Sequence, residues 1–207
     1  MSLWSEQVAP RLTDRTDSPA VRRIRAQACA GLAGHVLEIG FGSGQNLPFY
    51  PATVRRVTAV EPSQVARRLA GRRIAAAAIP VYFGAADAAQ LPFADASFDA
   101  ALSTLTLCTV GDVDRAAREI FRVLRPGAQL HLVEHGGAPD AGVARWQRRL
   151  EPLQKRMFAG CHLTRDMAAL LRSAGFELTD LDQGYLMGPA LTHPWTYVLQ
   201  TRARRPG

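Results

Sequence analysis

The apolar run Val36-Leu37-Glu38-Ile39 breaks directly into Gly40-Phe41-Gly42-Ser43-Gly44, and a later run ends in a carboxylate at Glu61. This order constrains the fold more than any other feature of the chain. A short run that is apolar but for one acid reads as a buried strand, and the clustered glycines read as a turn at its end. A turn with so little side-chain bulk lets backbone N–H groups come close to a ligand. An acid at the tip of the following strand can accept from both hydroxyls of a ribose. Together they imply a site for an adenosine-bearing cofactor at one edge of a sheet.

Strand and helix patterns alternate from there. Strands are expected at residues 35–39, 56–60, 81–83, 98–103 and 129–134. Helices are expected at 64–78 and 113–124, the second ended by Arg125-Pro126-Gly127. Ser18-Pro19 reads as the start of a helix reaching about Leu32, with serine as N-cap and proline in the first turn. Strands that are apolar throughout fit a parallel sheet covered on both faces. Regular alternation then means a doubly wound α/β fold.

The last third differs. A helix over 142–158 carries Val143, Trp146, Leu150, Leu153 and Met157 at spacings of three and four, with Pro152 placed to kink or split it. This stripe is expected to pack on the domain, with an apolar lid or an anionic membrane surface as alternatives. Thr164 should cap a helix through Ala174 that stops at Gly175. Strands at 176–181 and 196–201, joined by a long loop over 184–194, add an antiparallel hairpin at the sheet edge. Residues 3–13 suggest an amphipathic helix with Trp4, Val8 and Leu12 on one face, weakened by Pro10. One domain of 207 residues is expected: a helical lid over 1–34, a cofactor-binding half over 35–135 and a substrate-side half over 136–207.

Composition narrows the function classes. The formal charge is +7, but the arginines stand in scattered pairs such as Arg22-Arg23 and Arg148-Arg149, the pattern of solvated helix faces. No aromatic-basic interleaving points to RNA. Cys29, Cys108 and Cys161 are odd in number, form no CxxC pair and show no metal-ligand spacing. This usage fits a reducing, cytoplasmic setting, and Cys108 and Cys161 read as small packing residues. The first residues lack the apolar core of a signal peptide, and no apolar run reaches the ~20 residues that span a bilayer.

The glycine pattern is G-x-G-x-G, not the G-x-G-x-x-G of dinucleotide folds, and no Walker pattern occurs. Glu38 precedes the turn, Glu61-Pro62 follows the second strand, and Asp87-Ala88 follows the third. Leu91-Pro92-Phe93 then leads into the fourth strand. In this order, over residues 36–134, the chain resembles the class I S-adenosylmethionine-dependent methyltransferases. The resemblance implies a Rossmann-like, seven-stranded, mostly parallel sheet with N-terminal helices as a lid. It also implies S-adenosylmethionine as cofactor and S-adenosylhomocysteine as product. Gly40, Gly42 and Gly44 would then accommodate the amino-acid end and Glu61 the ribose diol. Asp87 would accept from the adenine amino group, the backbone near Ala88 would read the ring, and Thr104 or Leu105 would lie beside the methionine portion. Glu38 would orient either the loop or the cofactor amino group.

A narrower resemblance covers residues 36–198. VLEIGFGSGQNLPFYP, LSTLTLCTV, REIFRVLRPGAQLHLVEH and GCHLTRDMAALLRSAGF look like the thiol S-methyltransferases of animal membranes and their bacterial relatives. A small apolar thiol is the acceptor this implies. A phospholipid, a quinone-type intermediate, RNA, and a non-catalytic ligand-binding domain are the alternatives. Two departures stand out: the apolar N-terminal anchor is missing, and His162 stands where those proteins tend to have asparagine.

Methyl transfer from a sulfonium is an in-line displacement, so the main work is alignment, which can be worth about 7–11 kcal/mol. A thiol, partly ionised at neutral pH, needs little help from a base. His135, directly after the fifth strand, is the base candidate, with a hydrogen-bonded structural histidine as its other reading. His162 and Tyr185 come second.

Overall fold

The computed structural model describes residues 18–186 and 188–207, with Val8, Pro10, Arg11 and Asp14. The helix expected over 3–13 therefore lies outside the described residues, apart from Val8, Pro10 and Arg11. The described elements run α1 (Pro19–Cys29), β1 (Gly34–Ile39), β2 (Val54–Val60), α2 (Gln64–Ala76), β3 (Val81–Ala85), β4 (Phe98–Thr104) and α3 (Val113–Val123). They continue through β5 (Leu124–His135), α4 (Ala141–Met157), α5 (Met167–Ser173), β6 (Glu177–Tyr185), α6 (His193–Thr196) and β7 (Tyr197–Arg204).

The seven strands form one sheet in the order β3-β2-β1-β4-β5-β7-β6. Strands β1 to β5 pair in parallel, while β7 runs antiparallel to both β5 and β6. Successive residues of a strand point to opposite faces, and β1 is buried on both. Leu37 and Ile39 join Ile120, Leu130, Leu163 and Leu171 in one core layer. Val36 joins Ile24, Leu32, Leu102 and Val133 in the other. This is why the strand shows no polar alternation, and it leaves Glu38 facing inward on the α1 side.

Ser18 caps α1 by accepting from Val21 N at 3.3 Å, with Pro19 in the first turn. The helix stops at Cys29, short of Leu32, because Ala30 turns to extended backbone and Gly31 takes a φ of +84°. Strand β5 starts directly after α3, so Arg125-Pro126-Gly127 lies within it and not in a connecting loop. The register jumps there from Phe98↔Leu124 to Ala100↔Gln129, a bulge that absorbs a proline with no N–H to give.

Three expectations in the last third are corrected. Asp166, not Thr164, caps α5, accepting from Ala169 N at 2.9 Å, since the Thr164 hydroxyl is taken by Glu151. The α4 stripe does not pack on the domain: Trp146 and Leu153 are 54% and 55% exposed, while Gln147 and Gln154 are buried. Nor does Pro152 break α4. It sits on the exposed side, where water can satisfy the Arg148 carbonyl it leaves without an intrahelical donor. Among the described residues no helix is long and apolar enough to cross a membrane.

Candidate functional site

Parallel strands end together, so the turns after β1, β2, β3 and β4 gather at one edge of the sheet. Gly40, Glu61, Asp87 and Leu105 all lie there. Gly40, Gly42 and Gly44 take φ values of +71°, +57° and +80°, which only glycine adopts at little cost. Their surroundings differ. A Cβ on Gly40 would run into the Thr106 side chain, whereas one on Gly42 would meet nothing within 4 Å. Gly40 serves a close approach between turns, and Gly42 faces open space.

Glu61 fastens the glycine turn to the tip of β2. One carboxylate oxygen accepts from Gly42 N at 2.8 Å and the other from Ser63 N at 2.8 Å. Burial pushes this carboxyl up, and the two N–H donors oppose the rise. Pro62 beside it is exposed. Arg67, lying over the Phe83 ring, donates to the Glu61 carbonyl at 2.7 Å and to the Ala85 carbonyl at 3.2 Å.

Of the two roles open to Glu38, its contacts are those of orienting the loop. Fully buried, it accepts from Asn46 Nδ2 and from the Tyr50 hydroxyl, each at 2.6 Å. Burial lifts its pKa to about 7 against the pull of those donors and of Arg25. Arg25, from α1, forks under the turn onto Asn46 Oδ1 at 2.9 Å, Thr104 Oγ1 at 3.1 Å and Gln45 Oε1 at 2.8 Å. Thr104 also accepts from Asn46 Nδ2 at 2.9 Å. Above, Asp14 accepts from Arg73 at 2.7 Å, and Arg73 also donates to the Ser43 carbonyl. Arg25, Asn46 and Tyr50 carry this network; the last two lie within the VLEIGFGSGQNLPFYP stretch, which gives them no role of their own. Their only signal is polar groups next to a buried acid that needs partners.

Asp87 is exposed, and one of its oxygens caps its own loop by accepting from Ala89 N at 2.9 Å. Ala88 is buried. Leu105 holds a φ of +54° and donates its N–H to the Val133 carbonyl at 2.7 Å.

His135 is in company that the sequence did not disclose. Its Nδ1 lies 3.7 Å from the sulfurs of both Cys108 and Cys161, which are 3.6 Å from each other. Their spacing along the sequence shows no metal-ligand pattern, yet these three side chains converge in space. The contact between sulfurs pushes the Cys108 thiol up and draws the Cys161 thiol down to about 4, burial adding to the first and His135 to the second. Burial pulls the imidazole down, but its contact with Cys161 raises it overall. The Trp195 backbone stands beside the ring. The other two base candidates are likewise engaged: His162 pairs with Glu151 at 3.0 Å, and Tyr185 donates to Asp140 at 2.5 Å while stacking on His193. A hollow of about 540 Å³ bordered by Gly34, Arg55, Asp99 and Gln129 lies at the opposite, amino edge of the sheet.

Residues 37–132 match the methyltransferase domain family. The chain is 35% identical over 157 residues to the thiol S-methyltransferase TMT1A of Homo sapiens, covering 73% of this chain and 64% of that protein. It is 33% identical over 187 residues to the O-methyltransferase cnsE of Penicillium expansum, covering 86% of this chain and 64% of that one. It thus spans a little under two thirds of the length of either relative. The solved structure of a SAM-dependent methyltransferase from Methanosarcina mazei superposes with a TM-score of 0.66 at 25% identity, over 83% of this chain and 92% of that one.

Proposed function

We propose that the chain, whose residues 37–132 match the methyltransferase domain family and whose fold is that of a solved SAM-dependent methyltransferase, moves a methyl group from S-adenosylmethionine to a small apolar acceptor, a thiol before others. The observation that carries this reading is the glycine turn, with space above Gly42 and with Glu61 fastened beside it. Each Glu61 oxygen accepts one backbone N–H and keeps a further lone pair, as a ribose diol would require. The Arg25–Asn46–Glu38 network holds the turn from beneath, so the cradle is preorganised. When bound, S-adenosylmethionine supplies a methyl carbon already activated by its sulfonium. The protein then has to align that carbon with the acceptor and keep water out.

The preference for a thiol rests on the 35% identity to a thiol S-methyltransferase. It also agrees with the placement of His135, whose Nδ1 faces two cysteine sulfurs. A thiol loses its proton readily enough to do without that base, whereas a hydroxyl would want one.

Calorimetry with S-adenosylhomocysteine tests the cradle. Gly42→Arg, which fills the open space, and Glu61→Ala should each lower affinity at least tenfold, which is about 1.4 kcal/mol. Unchanged affinity in both variants would end the reading. A panel of thiols, phenols and quinols followed by mass spectrometry tests the acceptor, and turnover of phenols with silence across thiols moves it to oxygen.

A further inference from the structure

Cys108 follows β4, His135 ends β5 and Cys161 follows α4, yet their donor atoms form a nearly equilateral triangle with sides of 3.6, 3.7 and 3.7 Å. A point equidistant from the three lies about 2.1 Å from each, the side divided by √3. Zinc bonds imidazole nitrogen at about 2.0–2.1 Å and thiolate sulfur at about 2.3 Å. An ion at those distances sits slightly out of the plane of the three donors, as tetrahedral coordination asks, and keeps a fourth position. We propose that Cys108, His135 and Cys161 form a zinc site of two thiolates and one imidazole, with one position left for an exchangeable ligand.

The surroundings are those of a built site. The fully buried Glu134 carboxylate accepts from Thr106 N and Leu107 N at 2.8 Å, from Cys108 N at 3.1 Å and from Ser103 Oγ at 2.7 Å. That fixes the turn bearing Cys108 against the residue next to His135. The segment bearing Cys161 is tied to the same turn by His162 N, which donates to the Cys108 carbonyl at 2.8 Å. Outer groups stand beside two of the three donors: the Trp195 backbone by the His135 ring and the buried Gln154 side chain by the Cys161 thiol. Two thiolates match a dication in charge, while Arg165, which donates to the Leu107 carbonyl at 2.6 Å, stands near Glu134. Cys108 and Cys161 are 1% and 3% exposed, so the ion would be shielded from bulk water.

The same three groups have two other states, free thiols and a Cys108–Cys161 disulfide. The test separates them without reference to methyl transfer. Protein purified without chelator is assayed for zinc by elemental mass spectrometry. It is then exchanged with cobalt(II) and its absorption recorded. One zinc per chain is expected, with thiolate-to-cobalt charge-transfer bands in the near ultraviolet and the strong visible bands of four-coordinate cobalt. Cys29→Ser, in the other core layer, should keep both signals, and Cys161→Ser should lose the charge-transfer intensity. The cobalt spectrum of the unaltered chain keeps the test decisive should Cys161→Ser fail to fold. Zinc neither retained nor taken up, with three alkylatable thiols or with a linked Cys108–Cys161 peptide in the digest, overturns the proposal.

Discussion

At the scale of single residues, the site depends on glycines that look alike in sequence and do different work. Gly40→Ala would combine a positive φ with an overlap on Thr106 and should cost about 2–4 kcal/mol of stability. Gly42→Ala carries only the backbone strain, about 1–2 kcal/mol, and puts a methyl group into the open space proposed for the cofactor. Urea midpoints should therefore fall further for Gly40→Ala, while S-adenosylhomocysteine affinity should fall for Gly42→Ala in the protein that remains folded. Equal destabilisation by the two would contradict the close approach of Thr106.

At the scale of elements, α4 reverses the ordinary polarity rule. Gln147 accepts from Ala138 N at 2.9 Å and donates to the carbonyls of Gly136 at 3.1 Å and Pro194 at 3.3 Å, linking α4 to the chain after β5 and to α6. Gln147→Ala strands these groups and should cost about 1–3 kcal/mol, while Leu153→Glu on the outer face should stay within about 0.5 kcal/mol. Chemical denaturation of both variants checks the order; a larger loss for Leu153→Glu would mean the apolar stripe is covered after all. The spacing of Val143, Trp146, Leu150, Leu153 and Met157 gives a true helix but the wrong inward face, because local periodicity does not show which side finds partners. Elements whose limits are set locally were legible: Ser18-Pro19 starts α1, and Val36–Gly44 is a strand and turn as expected. What depends on distant partners was not. Thr164 gave way to Asp166 because its hydroxyl is bound to Glu151. Asn46 matters because Glu38 lies beneath it. The grouping of Cys108, His135 and Cys161 needs the whole sheet to bring its members together.

At the scale of the molecule, Glu38, Glu61 and Glu134 are all buried carboxylates held above their ordinary range, chiefly by desolvation. A carboxyl whose folded pKa is raised binds its proton more tightly folded than unfolded. Its contribution to stability is therefore full below the unfolded value near 4.5 and is lost as pH rises through the folded value, about 7 for Glu38. His35, pulled down to about 4 by burial and by neighbouring arginines, acts in the opposite sense over part of that range. The Glu38 share is isolated by comparison with Glu38→Gln. Between about pH 5 and pH 8 the unaltered chain should lose stability relative to the variant, as read from urea curves at both ends. A difference independent of pH would mean Glu38 is ionised throughout. The sheet order has a consequence of its own. Strand β7 follows β6 along the chain but lies inside it, threaded between β5 and β6, and its Val198 sets the register of His135. During synthesis, this strand emerges later than the two between which it lies. Refolding should then show an early phase in which the β1–β4 half forms and a slower one in which a single insertion completes the hydrogen-bond ladder and brings the imidazole to its sulfurs.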